Sequence, residues 1–359
     1  MRPTHGVKHA LVLPVFDLAD LQAPDSETRK LLRECLASLG VIRLRVPHAS
    51  TIHQRSLTLG KRFFLHDDTE KGCADGRRNF LLRYGEQSAT FNTLCGEHRV
   101  LIADYLGGER GWVRRGASRS KADKEYFQWG LLSGTRRDGI SGLKENIWPN
   151  DDEFVSFKHT QLKLHVDVHL TLLSCLQPEL SDSAQVSGLI ESFEVICRDT
   201  RYFPINEPED TITERLRTPV SIINPPHPDL SNGTLVSYAE GLQIYDGHGI
   251  TFAEIADDEV HWRNLDWSDA HPDDVLYLVG LATEIQTCGY FRASWHRVVR
   301  HMGDRGERFS TVSFCNAGVD DFLSGGRDIR FPRRYYPPVD RAALPLIGSG
   351  GYWSALCAC

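Results

Sequence analysis

The chain has 359 residues, enough for one large domain or two. Its 41 Lys and Arg against 48 Asp and Glu leave a formal charge of −7 without a polybasic stretch, which excludes a nucleic-acid-binding surface. No apolar run approaches the roughly 20 residues that a membrane-spanning helix needs, and 41% hydrophobic with 25% charged residues is the balance of a soluble globular protein.

The opening segment "MRPTHGVKHALVLPVFDLADL" carries acidic residues within its apolar stretch, so no signal peptide is expected. Nine scattered cysteines, an odd number, fit reduced thiols in the cytoplasm better than a disulfide framework. Residues 26–40 are predicted as an amphipathic helix, started by Asp25 or Ser26 and stopped at Gly40. Residues 51–72 read as a second helix. Residues 110–150 are polar and rich in Gly and Arg, the composition of irregular structure over a site mouth. The span 151–176 forms one long element whose type its pattern leaves open, because "LKLHVDVHL" alternates as a strand would. From about residue 190 strands and turns dominate, interrupted by an acidic, Trp-containing loop at 254–274. Pro and Gly near 331–352 suggest an irregular C-terminal arm. Cys357 and Cys359 at its end are too few and too close to make a tetrahedral metal site.

The residues that carry chemistry lie in the C-terminal half. His227-x-Asp229 and His296 are the ligand set of a non-haem Fe(II) facial triad, two imidazoles and one carboxylate that leave three coordination positions open. In "SIINPPHPDLSNG" the first pair is spaced i and i+2, so an extended segment turns both side chains to one face. Asn232-Gly233 marks a turn before the β-prone "TLVSYAEGLQIYD". "GYFRASWHRVVRHMGDRGERFSTVSF" reads as a hairpin with His296 on its first strand and Arg308-x-Ser310 on its second. An always-charged guanidinium fork beside a hydroxyl is what one end of a dicarboxylate co-substrate requires.

Two other groupings imitate a metal site. His165 and His169 in "HVDVH" stand about 13 Å apart if extended, at roughly 3.3 Å per residue. If helical they share a face, but Asp167 then points elsewhere. His271-x-Asp273 lies in a turn before a strand and is the weaker rival of His227-x-Asp229.

"HPDLSNGTLVSYAEGLQIYD", "DDVLYLVG", "GYFRASWHRVV" and "RFS" resemble successive signatures of the 2-oxoglutarate/Fe(II)-dependent oxygenases related to isopenicillin N synthase. "VLPVFDLADL", "LLRECLASLGVIRLRVPH", "GKRFFLHDDTEK", "DKEYFQWG", "NIWP" and "RDTRYFP" extend the resemblance over roughly residues 10–335. The chain departs from the pattern at Pro228, where Thr is usual, at Ser231, where Gly is frequent, and at Arg201, where Asn precedes the tyrosine. A long stretch at about residues 74–108 is also unusual.

The resemblance implies a mainly β fold with flanking helices, built on a double-stranded β-helix (jelly-roll) core, and a helix at 151–176. It divides the chain into an N-terminal helical and mixed region at 1–190, the jelly-roll core at 191–335 and a C-terminal arm at 336–359. It also implies a monomeric enzyme using Fe(II), 2-oxoglutarate and O2, with ascorbate as a candidate reductant, and the divergent 74–130 region at the site mouth points to a small specialised metabolite as substrate. Tyr202, Arg308 and Ser310 would hold the co-substrate. Arg201, with Arg114 or Arg115, would bind a substrate carboxylate. Two alternatives stay open: an oxidase of the same fold that does without 2-oxoglutarate, and a non-catalytic binding protein. A zinc hydrolase at the same ligands would leave Arg308-x-Ser310 without a task.

Overall fold

The structure, a computed structural model, describes residues 10–23, 27–76, 78–79, 110–116, 123–133, 145–176, 193–204, 220–237, 239–249, 252–301, 306–317 and the pairs 322–323, 326–327, 335–336 and 339–340. The helix start at Asp25 or Ser26, most of the 74–108 stretch, and Cys357 and Cys359 lie outside these residues.

Strand β1 (Val15–Asp17) runs directly into α1 (Leu18–Gln22), followed by α2 (Glu27–Leu39) and β2 (Val41–Arg45). The α2 helix stops at Gly40, whose φ of +71° and close approach to the Arg292 carbonyl leave no room for a Cβ. The single helix expected over 51–72 is instead α3 (Ala49–Leu65) and α4 (Asp68–Lys71). The break is chemical: Asp67 accepts from the Glu70 backbone N–H while Glu70 accepts from that of Asp67, a capping box that starts a new helix.

Strands β3 (Gly111–Val113) and β4 (Lys124–Ser133) occupy part of the region expected to be irregular. The long α5 (Asp152–Leu176) settles the disputed element as a helix. Its buried positions Phe154, Lys158, Gln161, His165, Val168, Leu172 and Cys175 recur at three- and four-residue intervals, and this period overrides the local alternation. Then come β5 (Phe193–Tyr202), β6 (Val220–His227), β7 (Gly233–Val236), β8 (Leu242–Tyr245), α6 (Phe252–Asp257), β9 (Trp262–Asn264), β10 (Asp274–Val279), α7 (Leu281–Gln286), β11 (His296–His301) and β12 (Arg308–Ala317).

An eight-stranded sheet of order β1-β2-β10-β7-β12-β5-β4-β3 faces a four-stranded sheet of order β6-β11-β8-β9. The larger sheet takes strands from both sides of residue 190. Val41, Val236, Leu276 and Leu278 of the large sheet pack on Leu242, Ile244 and Val298 of the small one, which closes the space between them. Helices α2, α3 and α5 cover the opposite face of the large sheet. There, Phe63 of α3 and Phe154 and Leu162 of α5 meet Phe127, Trp129, Val195 and Cys315. Each such buried side chain contributes roughly 1.5–3 kcal/mol of transfer free energy.

A layer of buried polar groups crosses this helix–sheet interface. The Lys158 ammonium donates to the Asp199 carboxylate and to Ser56, and Thr311 donates to the other Asp199 oxygen at 2.8 Å. His53 and His165 meet through their Nε2 atoms at 3.3 Å, and His169 pairs with the Ser313 hydroxyl at 3.0 Å. His165 and His169 are therefore interior histidines with protein partners.

Burial pushes His53 down to about 4 and His169 down to about 3 from the usual 6.5, and holds His165 well below it. The unfolded chain therefore binds more protons than the folded one at pH values from 6.5 down to about 4. Urea midpoints are expected to fall steadily as pH drops through this window. The slope should be shallower in His169→Gln, and a midpoint insensitive to pH across it would contradict the assignment.

Candidate metal centre and co-substrate pocket

His227 is the last residue of β6 and His296 the first of β11, and the two face each other in antiparallel register. Their ring centroids lie 4.4 Å apart. Asp229, in the turn after β6, brings one carboxylate oxygen to 4.0 Å from His227 Nε2 and the other to 3.8 Å from His296 Nε2. The ligand atoms of all three lie within 4.8 Å of one another, the one such group of three among the described residues.

The surroundings fix each side chain in the form a metal needs. His227 Nδ1 is 2.7 Å from the Pro225 carbonyl and His296 Nδ1 is 2.9 Å from that of Ser294. A carbonyl only accepts, so each Nδ1 carries the proton and each Nε2 presents its lone pair. Asp229 accepts from the Thr234 hydroxyl at 2.7 Å, and its backbone carbonyl accepts from Leu281 N–H at 2.8 Å. Burial, reinforced by His296, lowers His227 to about 4. Burial pushes the Asp229 carboxyl up, but His296 and His227 beside it bring it below the usual range. Near neutral pH the site thus holds a neutral His227 and an ionised Asp229.

The turn that carries these ligands contains Gly233 for a reason other than turn geometry. A Cβ there would stand 2.2 Å from the Tyr277 hydroxyl, so only glycine lets β7 pass that ring.

The second half of the pocket is built by register. Arg308 of β12 sits opposite Tyr202 of β5, which sits opposite Lys124 of β4; Ser310 sits opposite Thr200 and Tyr126 in the parallel row. Arg308 stacks over the Tyr202 ring at 5.1 Å and donates from Nε to the Glu240 carbonyl at 2.8 Å. Among the described residues, nothing hydrogen-bonds its buried Nη1. A buried guanidinium nitrogen left unpaired costs about 1–3 kcal/mol, a deficit that a carboxylate reaching it would remove. Ser310, two residues on along the strand, shares its face and is buried.

Arg201 does not reach this pocket. Adjacent residues of a strand face opposite sides, and Arg201 turns to the helix layer, where Glu125, Glu307 and the Phe64 carbonyl occupy it. Arg114 pairs with Asp75 at 2.7 Å and Arg115 with Asp123 at 2.6 Å, both more than half exposed. The His271/Asp273 pair is a turn: Asp273 accepts from the Ser50 N–H at the start of α3, and His271 Nδ1 from Asp273 N–H. Two further cations enter the lumen: Lys124, on a β4 that was expected to be irregular, and Arg198, on the same face of β5 as Tyr202. The alternation of "KEYFQWG", read as a strand, places Lys124, Tyr126 and Gln128 on the face opposite Phe127 and Trp129.

No protein-family model matches the chain, and no curated protein does. Solved structures do. A full-length Neurospora crassa protein in complex with alpha-KG (2-oxoglutarate) is similar at 16% identity over 96% of each chain, with a TM-score of 0.60. JOX2, in complex with 2OG, Fe and JA, matches at 16% identity over 98% of this chain and 91% of its own, with a TM-score of 0.62. The rice dioxygenase for auxin oxidation matches at 19% identity over 96% of this chain and 99% of its own, with a TM-score of 0.57. The chain has the fold of the 2-oxoglutarate/Fe(II) oxygenases. In this oxygenase fold the larger sheet and the smaller sheet are the two walls of the jelly roll, and the His227–Asp229–His296 group lies on the smaller wall, where β6 ends beside the start of β11. Among the described residues, no helix of this chain is long and apolar enough to cross a membrane.

His227→Ala, Asp229→Ala and His296→Ala are each expected to abolish stoichiometric Fe(II) binding in anaerobic dialysis. Removal of the supporting hydroxyl in Thr234→Val should weaken affinity by about 10–100-fold. His165→Ala, His169→Ala and His271→Ala should retain the metal; loss of iron from any of these three while still folded would move the site.

Proposed function

We propose that the protein is a non-haem Fe(II)- and 2-oxoglutarate-dependent dioxygenase that oxidises a C–H bond of a small molecule. The observation that carries this reading is the pair of half-sites in one lumen. One is an open-sided group of two tautomer-locked histidines and a carboxylate, and the other a buried arginine with an unpartnered Nη1. An oxidase that takes all its electrons from its substrate could fill that nitrogen only with a carboxylate of the substrate itself, and succinate formed per turnover separates the two.

Bound Fe(II) would supply the chemistry: with O2 and 2-oxoglutarate it yields succinate, CO2 and the oxidising power to break a substrate C–H bond. The chain's own residues do the positioning. His227, Asp229 and His296 would hold the metal by one side only, leaving the remaining positions to co-substrate and O2. Arg308 would receive the far carboxylate as a fork, with the Ser310 hydroxyl beside it and the Tyr202 ring fixing the guanidinium plane. Arg308 remains charged, although burial lowers its pKa from the ordinary value. The apolar contact of the two sheets walls off the far side from bulk water. The solved structures hold small molecules of different kinds: the Neurospora crassa protein has thymine or 5-formyluracil, and JOX2 has JA. A specialised metabolite processed in the cytoplasm fits the reading, and the described cysteines are all free thiols.

Arg308→Ala is expected to weaken 2-oxoglutarate binding by about 3–5 kcal/mol, because the buried carboxylate loses its partner. Arg308→Lys should restore only part of it, since an ammonium cannot form the fork. Calorimetric titration of the Fe(II)-loaded protein under anaerobic conditions measures both. Unchanged 2-oxoglutarate affinity in Arg308→Ala, or O2 consumption without succinate in the wild-type protein, would overturn the reading.

A further inference from the structure

Buried cations on the helix side of this protein have carboxylates beside them. Lys71 meets Glu125 at 3.0 Å and Lys158 meets Asp199, while on the opposite face of the sheet Arg110 meets Glu194 at 2.7 Å. Lys124 and Arg198, which face the lumen, have none among the described residues. Lys124 is 6% exposed, and among the described residues nothing hydrogen-bonds its ammonium, whose nearest described partner is the Tyr202 ring at 5.8 Å. Arg198, on the same face of the next strand, donates from Nε to Gln128. Its guanidinium lies over the Tyr126 ring at 4.6 Å and the Phe314 ring at 5.0 Å. Those contacts hold it in place without neutralising it.

Both charges are close enough to feel the candidate metal ligands. Asp229 acts on Lys124, and Arg198 acts on Asp229 and Lys124. Burial, aided by Arg198, lowers the Lys124 ammonium to about 7. Arg308 lies on the other side of this arrangement, with Tyr202, Glu240 and Arg300 around it.

Formal charges show what is missing. With the proposed metal and co-substrate in place, Asp229 and the two carboxylates of 2-oxoglutarate balance a dication and Arg308. At the Arg308 end, Arg300 adds a positive charge and Glu240 a negative one. Lys124 and Arg198 stay uncompensated. A cation held in a low-dielectric space without a counter-charge is costly unless something anionic arrives to meet it.

We infer that Lys124 and Arg198 form the recognition site for an anionic substrate, a small-molecule carboxylate held between Lys124 and Arg198 with its reacting carbon toward the His227–Asp229–His296 group. This deepens the dioxygenase reading and rests on it for the identity of the bound molecule as substrate. Arg198 offers the fork for a carboxylate and Lys124 a compact charge beside it, so specificity comes from charge at one end of the ligand. Gln128 is a positioning residue that orients Arg198.

The test uses Fe(II)- and 2-oxoglutarate-loaded protein under anaerobic conditions, titrated calorimetrically with phenylacetate, cinnamate and octanoate, each beside its own primary amide. Carboxylates should bind at least about tenfold more tightly than their amides. Lys124→Met and Arg198→Met should each weaken carboxylate binding on the order of ten- to a hundredfold. Amide and 2-oxoglutarate affinities should stay as they were, and Arg201→Gln should change none of the three. Without ligands, Lys124→Met should melt at the same temperature as the parent or higher, because it removes a buried charge that has no partner. Equal binding of acids and amides, binding of neither, or a Lys124→Met variant that loses 2-oxoglutarate as Arg308→Ala does would each overturn the proposal. Failure to load Fe(II) or 2-oxoglutarate would show before any acid is added and would count against the dioxygenase reading. The acid–amide comparison on unloaded protein would then still test the cationic pair.

Discussion

Strands β4, β5 and β12 are covered on both faces, and the pocket depends on that constraint. Side chains alternate along a strand, so every second residue must suit the helix layer and the others the lumen. On β5, Asp199 meets Lys158 on one side while Arg198 looks to the other. On β12, Thr311 and Ser313 bond across to Asp199 and His169 while Arg308 and Ser310 face inward. A register slip of one residue would put the guanidinium in the helix core and the lysine's partner in the pocket, exchanging every role at once. The polar pairs behind the sheet therefore also set the register of the pocket in front of it.

That arrangement explains the unusual polarity of α5. Lys158, Gln161, His165 and His169 lie on its buried side, among leucine, valine and phenylalanine. A buried ion pair such as Lys158–Asp199 adds little net stability over a hydrophobic pair of the same shape. It does discriminate: a sliding or rotation of α5 leaves a charge without its partner. Here the helix has one position on the sheet in which Ser56, Asp199 and Ser313 all find their bonds.

The metal ligands and Arg308-x-Ser310 could be read from sequence because each pair is spaced i and i+2 within a run whose strand character is local. Arg198, at alternating spacing from Tyr202 in "RDTRYFP", was legible in the same way, but Lys124 was not. Strand β4 draws its structure from ten paired positions on β5, nearly seventy residues away, and a polar, Gly-rich neighbourhood hides it. The same alternation that placed Tyr202 also forbids its neighbour Arg201 from sharing the pocket, a constraint that the family likeness at "RDTRYFP" obscured. "LKLHVDVHL" misled for another reason. Helix α5 is buried against two clusters at once, so its apolar positions cover a wide arc and imitate a strand over nine residues. The helix period reappears only over the full length of the element.

The two carbonyls that hold His227 and His296 by Nδ1 bear on which ion the proposed centre would take up. They align donor atoms in advance, and that benefit is the same for any first-row dication. Nitrogen and oxygen donors favour Ni(II), Cu(II) and Zn(II) over Fe(II) in the usual Irving–Williams sequence, and nothing in a pre-set imidazole reverses it. In the proposed dioxygenase, occupancy by iron would then reflect supply: the free concentrations maintained by the cell, and the order in which ions meet the newly folded chain. Protein produced in a zinc-rich medium would emerge well folded, correctly aligned and mismetallated.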